Sequence, residues 1–184
     1  TQYDKLVAQI ESWKNYKAVL AWGIGNEIDV STHPDPVPIY AAIEQLARYV
    51  RDHDHYHPVT TVHAGSDPLK ITRVRIFSPS VDLVSFNSYA HVDDVYTNVI
   101  NADWTGPYMI TEYNIDQPMD VYNSGPKTSW GAVIEPLSNT KMTRLLDINN
   151  DDLLIHPRCV GGYVFKGAYS PFRVTLTWYN ILHA

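Results

Sequence analysis

The strongest constraint on the fold of this chain is a regular exchange between short apolar runs and longer segments of helical periodicity. Residues 19–25 form a nearly all-apolar run, the pattern of a strand buried on both faces. Further β-like runs follow at 58–62, 81–86, 108–111 and 159–165, the last containing Gly161 and Gly162. Helical segments separate them. In 39–51, Ile43, Leu46, Ala47 and Val50 fall on one face, and Pro38 suits a first helical turn. Segments 92–101 and 138–154 also read as helices, with Ser138 as an N-cap. A leading helix over 3–16 carries Leu6, Val7, Ile10 and Trp13 at helical spacing. Residues 69–77 fit either element. Strand–helix alternation predicts a parallel α/β sheet. A doubly wound sheet and a TIM barrel both satisfy it, and in either the ligand site lies at the carboxyl ends of the strands.

Those strand ends carry the chemistry. The residues there are Asn26 and Glu27, His63, Asn87 and Tyr89, and Glu112. Gly23 and Gly25 lack the third glycine of a dinucleotide loop, which argues against a dehydrogenase. Glu27 and Glu112 each follow an apolar run directly. A carboxylate in that position emerges at the mouth of the sheet, where desolvation favours a general acid. Two such carboxylates are what glycosidic cleavage needs: one protonates the leaving oxygen, the other attacks the anomeric carbon or activates water. An ion pair or a helix cap explains either one alone as well; the pair together favours catalysis.

Composition agrees. The 184 residues are 45% hydrophobic, enough for one packed core. Thirteen Tyr and five Trp against four Phe give many flat faces with polar tips, a surface suited to sugar rings. Net charge is −6 and no Lys/Arg cluster is present, which argues against a nucleic-acid partner. No stretch approaches the roughly 20 apolar residues of a membrane span. The lone Cys159 leaves the redox compartment open.

The segments 17–27, 81–89, 106–113 and 161–165 together resemble the barrel domain of clan A glycoside hydrolases, glycoside hydrolase family 2 in particular. They look like its fourth, sixth, seventh and eighth strands, in order. The resemblance implies a (β/α)₈ TIM barrel, incomplete here, with strands four to eight present and strands one to three belonging to an upstream part of the same barrel. It implies a retaining β-glycosidase with Glu27 as acid/base and Glu112 as nucleophile. A transglycosylase using the same intermediate and a non-catalytic carbohydrate-binding barrel are the alternatives. The carboxylates lie about 85 positions apart, near the roughly 90 spanned by three units of a ~250-residue barrel. By the same resemblance, Asn26 contacts the sugar 2-hydroxyl and Tyr89 contacts the nucleophile. Two departures stand out: 165–168 lacks the Trp platform common after strand eight, and Asn114 occupies a place where relatives often carry Gly. No cofactor and no metal is implied, and a secreted or periplasmic location fits the family.

Weaker candidates complete the reading. Asn87, His63 and His91 lie near strand ends, within reach of sugar hydroxyls. Trp130, in the long connection after 108–111, can stack on a sugar, and Asp29 and Glu135 can line a cleft. His53, His55 and His57 sit in a polar turn at the opposite end of the sheet and read as solvated rather than metal-binding. Trp104 and Trp178 read as packing residues.

Overall fold

Short β-branched and aromatic runs form the strands, and helices in the connections between them cover one face of the sheet. The structure, a computed structural model, describes residues 1–28, 37–89, 91–115, 125–134 and 136–165. Its elements are α1 (Gln2–Trp13), β1 (Trp22–Asn26), α2 (Val37–His53), β2 (Val59–Ala64), α3 (Pro68–Phe77), β3 (Leu83–Tyr89), α4 (Val95–Asn101), β4 (Tyr108–Asn114), α5 (Ser138–Ile148) and β5 (Cys159–Val164). The five strands make one sheet in the order β1-β2-β3-β4-β5, and every pairing is parallel. All carboxyl ends therefore point the same way.

The ambiguous stretch 69–77 is helical. Asp67 caps it by accepting from the Leu69 amide at 2.8 Å, and Pro68 supplies a first-turn φ. Its apolar residues are spread around the helix: Ile71 and Val74 are buried, whereas Leu69 and Ile76 are exposed. That spread leaves no helical stripe to read along 69–77. Ser138 is not an N-cap. Leu137 holds the cap position, with no side-chain cap bond, and Ser138 is the first helical residue. The helix expected over 138–154 stops being α-helical at Ile148 and continues as one π-helical turn, Asn149–Leu153.

The core fills the layer between helices and sheet. Ile43, Ala47 and Val50 of α2, Ile71 and Val74 of α3, and Val95 and Val99 of α4 pack on Val59, Val84, Phe86 and Ile110. Each such side chain, fully buried, contributes about 1.5–3 kcal/mol. The other sheet face is less covered. Contrary to the sequence expectation, β1 is not buried on both faces: Gly23, Gly25 and Asn26 are exposed and Trp22 and Ile24 only half-buried. Among the described residues β1 pairs only with β2 and β5 only with β4. On the uncovered face, near the amino ends of the strands, Leu20, Leu83, Met109 and Tyr163 help line an apolar hollow of about 490 Å³. On the leading helix only Ile10 is buried, while Leu6 and Trp13 are exposed.

Two register irregularities position the site. Between β1 and β2, Gly23 pairs with Thr60 and Asn26 with Val62, so β1 carries one extra residue. Between β3 and β4, Phe86 pairs with Ile110 and Asn87 with Glu112, so β4 carries one extra residue around Thr111. Strand side chains alternate between faces, and an inserted residue reverses the alternation. Tyr108 and Ile110 point into the helix layer with the core. Strict alternation would send Glu112 after them. The bulge turns it to the uncovered face with Asn87. The bulge in β1 does the same for Asn26.

Candidate active site

The chain turns sharply at the end of β1. Gly25 has φ +78° and Glu27 φ +49°, both in the left-handed region. For glycine this is free; for glutamate it is strained. The Glu27 amide is fixed by donating to the Val62 carbonyl at 2.9 Å. A Cβ at Gly25 would lie 2.8 Å from Ile28 Cγ2, so the turn has no room for a side chain there. Strain at a carboxylate so firmly held is the kind of feature that clusters at functional sites.

Asn87 is the hub of the site. Its Nδ2 donates to Glu27 Oε1 at 2.9 Å and to Asn26 Oδ1 at 3.2 Å. Its Oδ1 accepts from the Thr111 hydroxyl at 2.9 Å. The Glu27 carboxylate sets the amide orientation, because a flipped amide would turn its oxygen against an acceptor, whereas the Thr111 hydroxyl can serve either atom. Two residues further along β3, the Tyr89 hydroxyl donates to Glu112 Oε2. A phenol donor there stabilises the carboxylate and fixes its rotamer. One network therefore joins the ends of β1, β3 and β4. Glu27 and Glu112 are each half-buried, and Asn87 is buried.

A cavity of about 450 Å³ opens beside Glu27, bounded by Ala64–Asp67 after β2, by Asn87–Tyr89, and by His91, Asp94 and Asn98. His91 is exposed at its rim. Its ring lies with Asp93 and Asp94 in a group whose ligand atoms fall within 4.8 Å of one another, all exposed to solvent.

His63 departs from expectation. It pairs in register with Phe86, so it points into the helix layer, fully buried between Tyr40 at 6.2 Å and Phe86 at 6.3 Å. It cannot meet a ligand in the cleft. Trp130 stands 80% exposed on a tight turn closed by Thr128 and Ala132 and is not among the residues bounding the cavity. Trp104 is buried, its indole donating to the Pro107 carbonyl at 3.0 Å. Asp29, Glu135 and Trp178 lie outside the described residues. The three histidines of the polar turn do not converge. His53 stacks on Tyr49 at 4.0 Å, His57 bonds Asp54 at 2.8 Å, and His55 is exposed. Two of the three are thus engaged within the fold rather than freely solvated.

Sequence reasoning missed Thr111 and the linking role of Asn87. The only available signal was Thr111 standing immediately before Glu112, and nothing in the residue order marks the bulge that brings it to Asn87.

Comparisons with known proteins agree with the barrel. The model of "Glycosyl hydrolases family 2, TIM barrel domain" matches residues 1–126, a span that holds both Glu27 and Glu112. A glycoside hydrolase family 17 beta-1,3-glucanosyltransferase from Rhizomucor miehei superposes with a TM-score of 0.57 at 14% identity, over 91% of this chain and 60% of that one. An active-site mutant of the Rhizomucor miehei beta-1,3-glucanosyltransferase in complex with laminaritriose gives 0.53 at 14%, over 86% and 58%. The chain thus spans less than two thirds of these structures. At that identity the likeness speaks for the fold alone. No curated protein matches the sequence.

Proposed function

We propose, from the premise that the chain belongs to glycosyl hydrolase family 2 through its TIM barrel domain, that it carries the catalytic centre of a retaining β-glycosidase. The observation that carries this reading is the shared network. Asn87 and Tyr89, both at the end of β3, hold Glu27 at the end of β1 and Glu112 of β4, and Thr111, next to Glu112, bonds Asn87.

The proposed chemistry runs in two steps. A Glu112 oxygen bonds to the anomeric carbon as the glycosidic C–O bond breaks, and Glu27 gives its proton to the departing oxygen. Then Glu27 takes a proton from water, the water oxygen bonds to the anomeric carbon, and the bond to Glu112 breaks. Asn26, beside Glu27 and bonded to Asn87, would hold the sugar 2-hydroxyl, a contact that strengthens as positive charge develops on the ring. The chain would supply strands four to eight of the barrel. The outer edges of β1 and β5, unpaired among the described residues, and the apolar hollow on the uncovered face support that assignment, because a closed barrel leaves neither.

The test is kinetic, with the complete enzyme. Glu112→Ala should abolish turnover, because the covalent intermediate cannot form. Glu27→Ala should slow glycosides with poor leaving groups far more than activated aryl glycosides, which need little protonation. Equal loss across leaving groups would remove Glu27 from the acid role. Inversion of anomeric configuration in the product would remove Glu112 from the nucleophile role.

A further inference from the structure

We propose that the cavity between the loop after β2 and the start of α4 is the subsite for the leaving group and acceptor, and that it takes a neutral, polyhydroxylated ring, that is, a second sugar. The proposal rests on the glycosidase reading and adds which half of the substrate lies where, and of what class it is.

Position comes first. A general acid stands beside the oxygen it protonates, so the leaving group lies on the side of the acid turned away from the nucleophile. The cavity is bounded by Glu27 and not by Glu112. It runs from Glu27 across the end of β2 to Asn98 on α4, away from β4. Its volume of about 450 Å³ falls within the ~300–1,000 Å³ typical of small-molecule clefts.

Chemistry comes second. Ser66 is almost wholly buried, and its hydroxyl accepts from Asn98 Nδ2 at 2.9 Å. That bond uses a lone pair, so the Ser66 proton is aimed by Asn98 and remains available to donate. Asp67, Asp94 and His91 add acceptors around the rim. Among the described residues no Lys or Arg bounds the cavity; the nearby Lys70 ammonium is engaged with the Ala64 carbonyl at 2.7 Å, and the carboxylates of Glu27, Asp67 and Asp94 would repel an anionic substituent. Among the described residues Tyr89 is the only Phe, Tyr or Trp that bounds it. A cavity built mostly of hydrogen-bonding groups suits a sugar better than an aromatic aglycone.

The test uses the complete enzyme. 4-Nitrophenyl β-D-glucoside, β-D-galactoside and β-D-mannoside first identify an accepted donor. kcat/KM is then measured for that aryl glycoside and for a disaccharide with the same donor sugar. In Ser66→Ala and in Asn98→Ala, the ratio of disaccharide to aryl kcat/KM should fall about tenfold, the size of one lost hydrogen bond of ~1.4 kcal/mol. Asn98→Asp, which keeps shape but not the donor, should behave like the alanine variant. An unchanged ratio in all three would overturn the proposal. A second measurement needs no turnover: saturation-transfer NMR on Glu112→Ala with D-glucose, D-mannose, D-xylose and D-glucuronate. Neutral sugars should bind and lose contact in the Ser66→Ala, Asn98→Ala double variant. Binding that survives the double variant, or glucuronate binding as well as glucose, would overturn the subsite. Failure to cleave any aryl glycoside while neutral sugars still bind there would sink the glycosidase reading and leave the sugar pocket standing.

Discussion

Glu27 is asked to do two things that conflict: hold a left-handed backbone and present a carboxylate. A side chain at φ +49° costs roughly 1–2 kcal/mol relative to glycine. The two inactivating variants of this position should therefore differ in stability. Glu27→Gly relieves the backbone and Glu27→Ala does not, while both lose the bond to Asn87. Denaturant unfolding should find the glycine variant more stable by about 1 kcal/mol. Equal stabilities would mean that the turn is not strained in solution. Gly25 admits no such exchange, because its Cβ would meet Ile28.

At the level of the element, β5 packs tightly on the segments around it. A Cβ on Gly162 would lie 2.6 Å from Leu153 Cδ2, 3.1 Å from Tyr113 Cε1 and 3.2 Å from the Ile110 carbonyl. Gly162→Ala should destabilise the fold by about 1–3 kcal/mol. Because the nearest atom belongs to Leu153, adding Leu153→Ala should return part of that loss; additivity of the two costs in a double-mutant cycle would place the strain on the backbone of β4 instead. The elements themselves were largely legible, because α2 follows its helical stripe through Tyr40, Ile43, Ala47 and Val50. The five strands appear where apolar runs lie. What was not legible was facing. Its strand-end position makes His63 a candidate for the cleft as much as for the core, and register sends it under Tyr40. Glu112 was read correctly as a strand-end residue, but strict period-two counting from Tyr108 would have buried it. Facing depends on the inserted residue, and an insertion in register is a property of two strands that one sequence does not spell out. The Thr111–Asn87 bond was hidden for the same reason.

The whole molecule is held at its amino-terminal face by Asp54, which joins β1 to the turn before β2. Its carboxylate accepts from the Trp22 indole at 2.6 Å, the His57 ring at 2.8 Å and the Tyr56 amide at 3.1 Å. Burial alone would raise this carboxyl, but the Trp22, His57 and Tyr56 donors outweigh it and the net shift is downward. A lowered folded value means stability that is present above the unfolded value of ~3.9 and lost as pH falls through the folded one. Asp54→Asn should therefore cost about 1.5–3 kcal/mol at pH 7. The deficit should shrink as unfolding is measured below about pH 4, where the unfolded chain takes up its proton first and the native carboxylate follows at its lower value. A deficit independent of pH would assign the effect to packing. Across the same sheet, the two bulges set a rule of a different kind. The ends of β1 and β4 resemble the read-out of a parity count: whether a side chain serves the cleft or the core depends on whether the number of residues before it is odd or even. Replacing a residue leaves the count intact. Removing an in-register residue ahead of the bulge, Met109 for example, would exchange the two sets at once, delivering Tyr113 to the cleft and Glu112 to the apolar layer, whereas removing Thr111, the extra residue itself, would leave both facings unchanged. In these two segments length is guarded more strictly than identity, except at the extra residue itself.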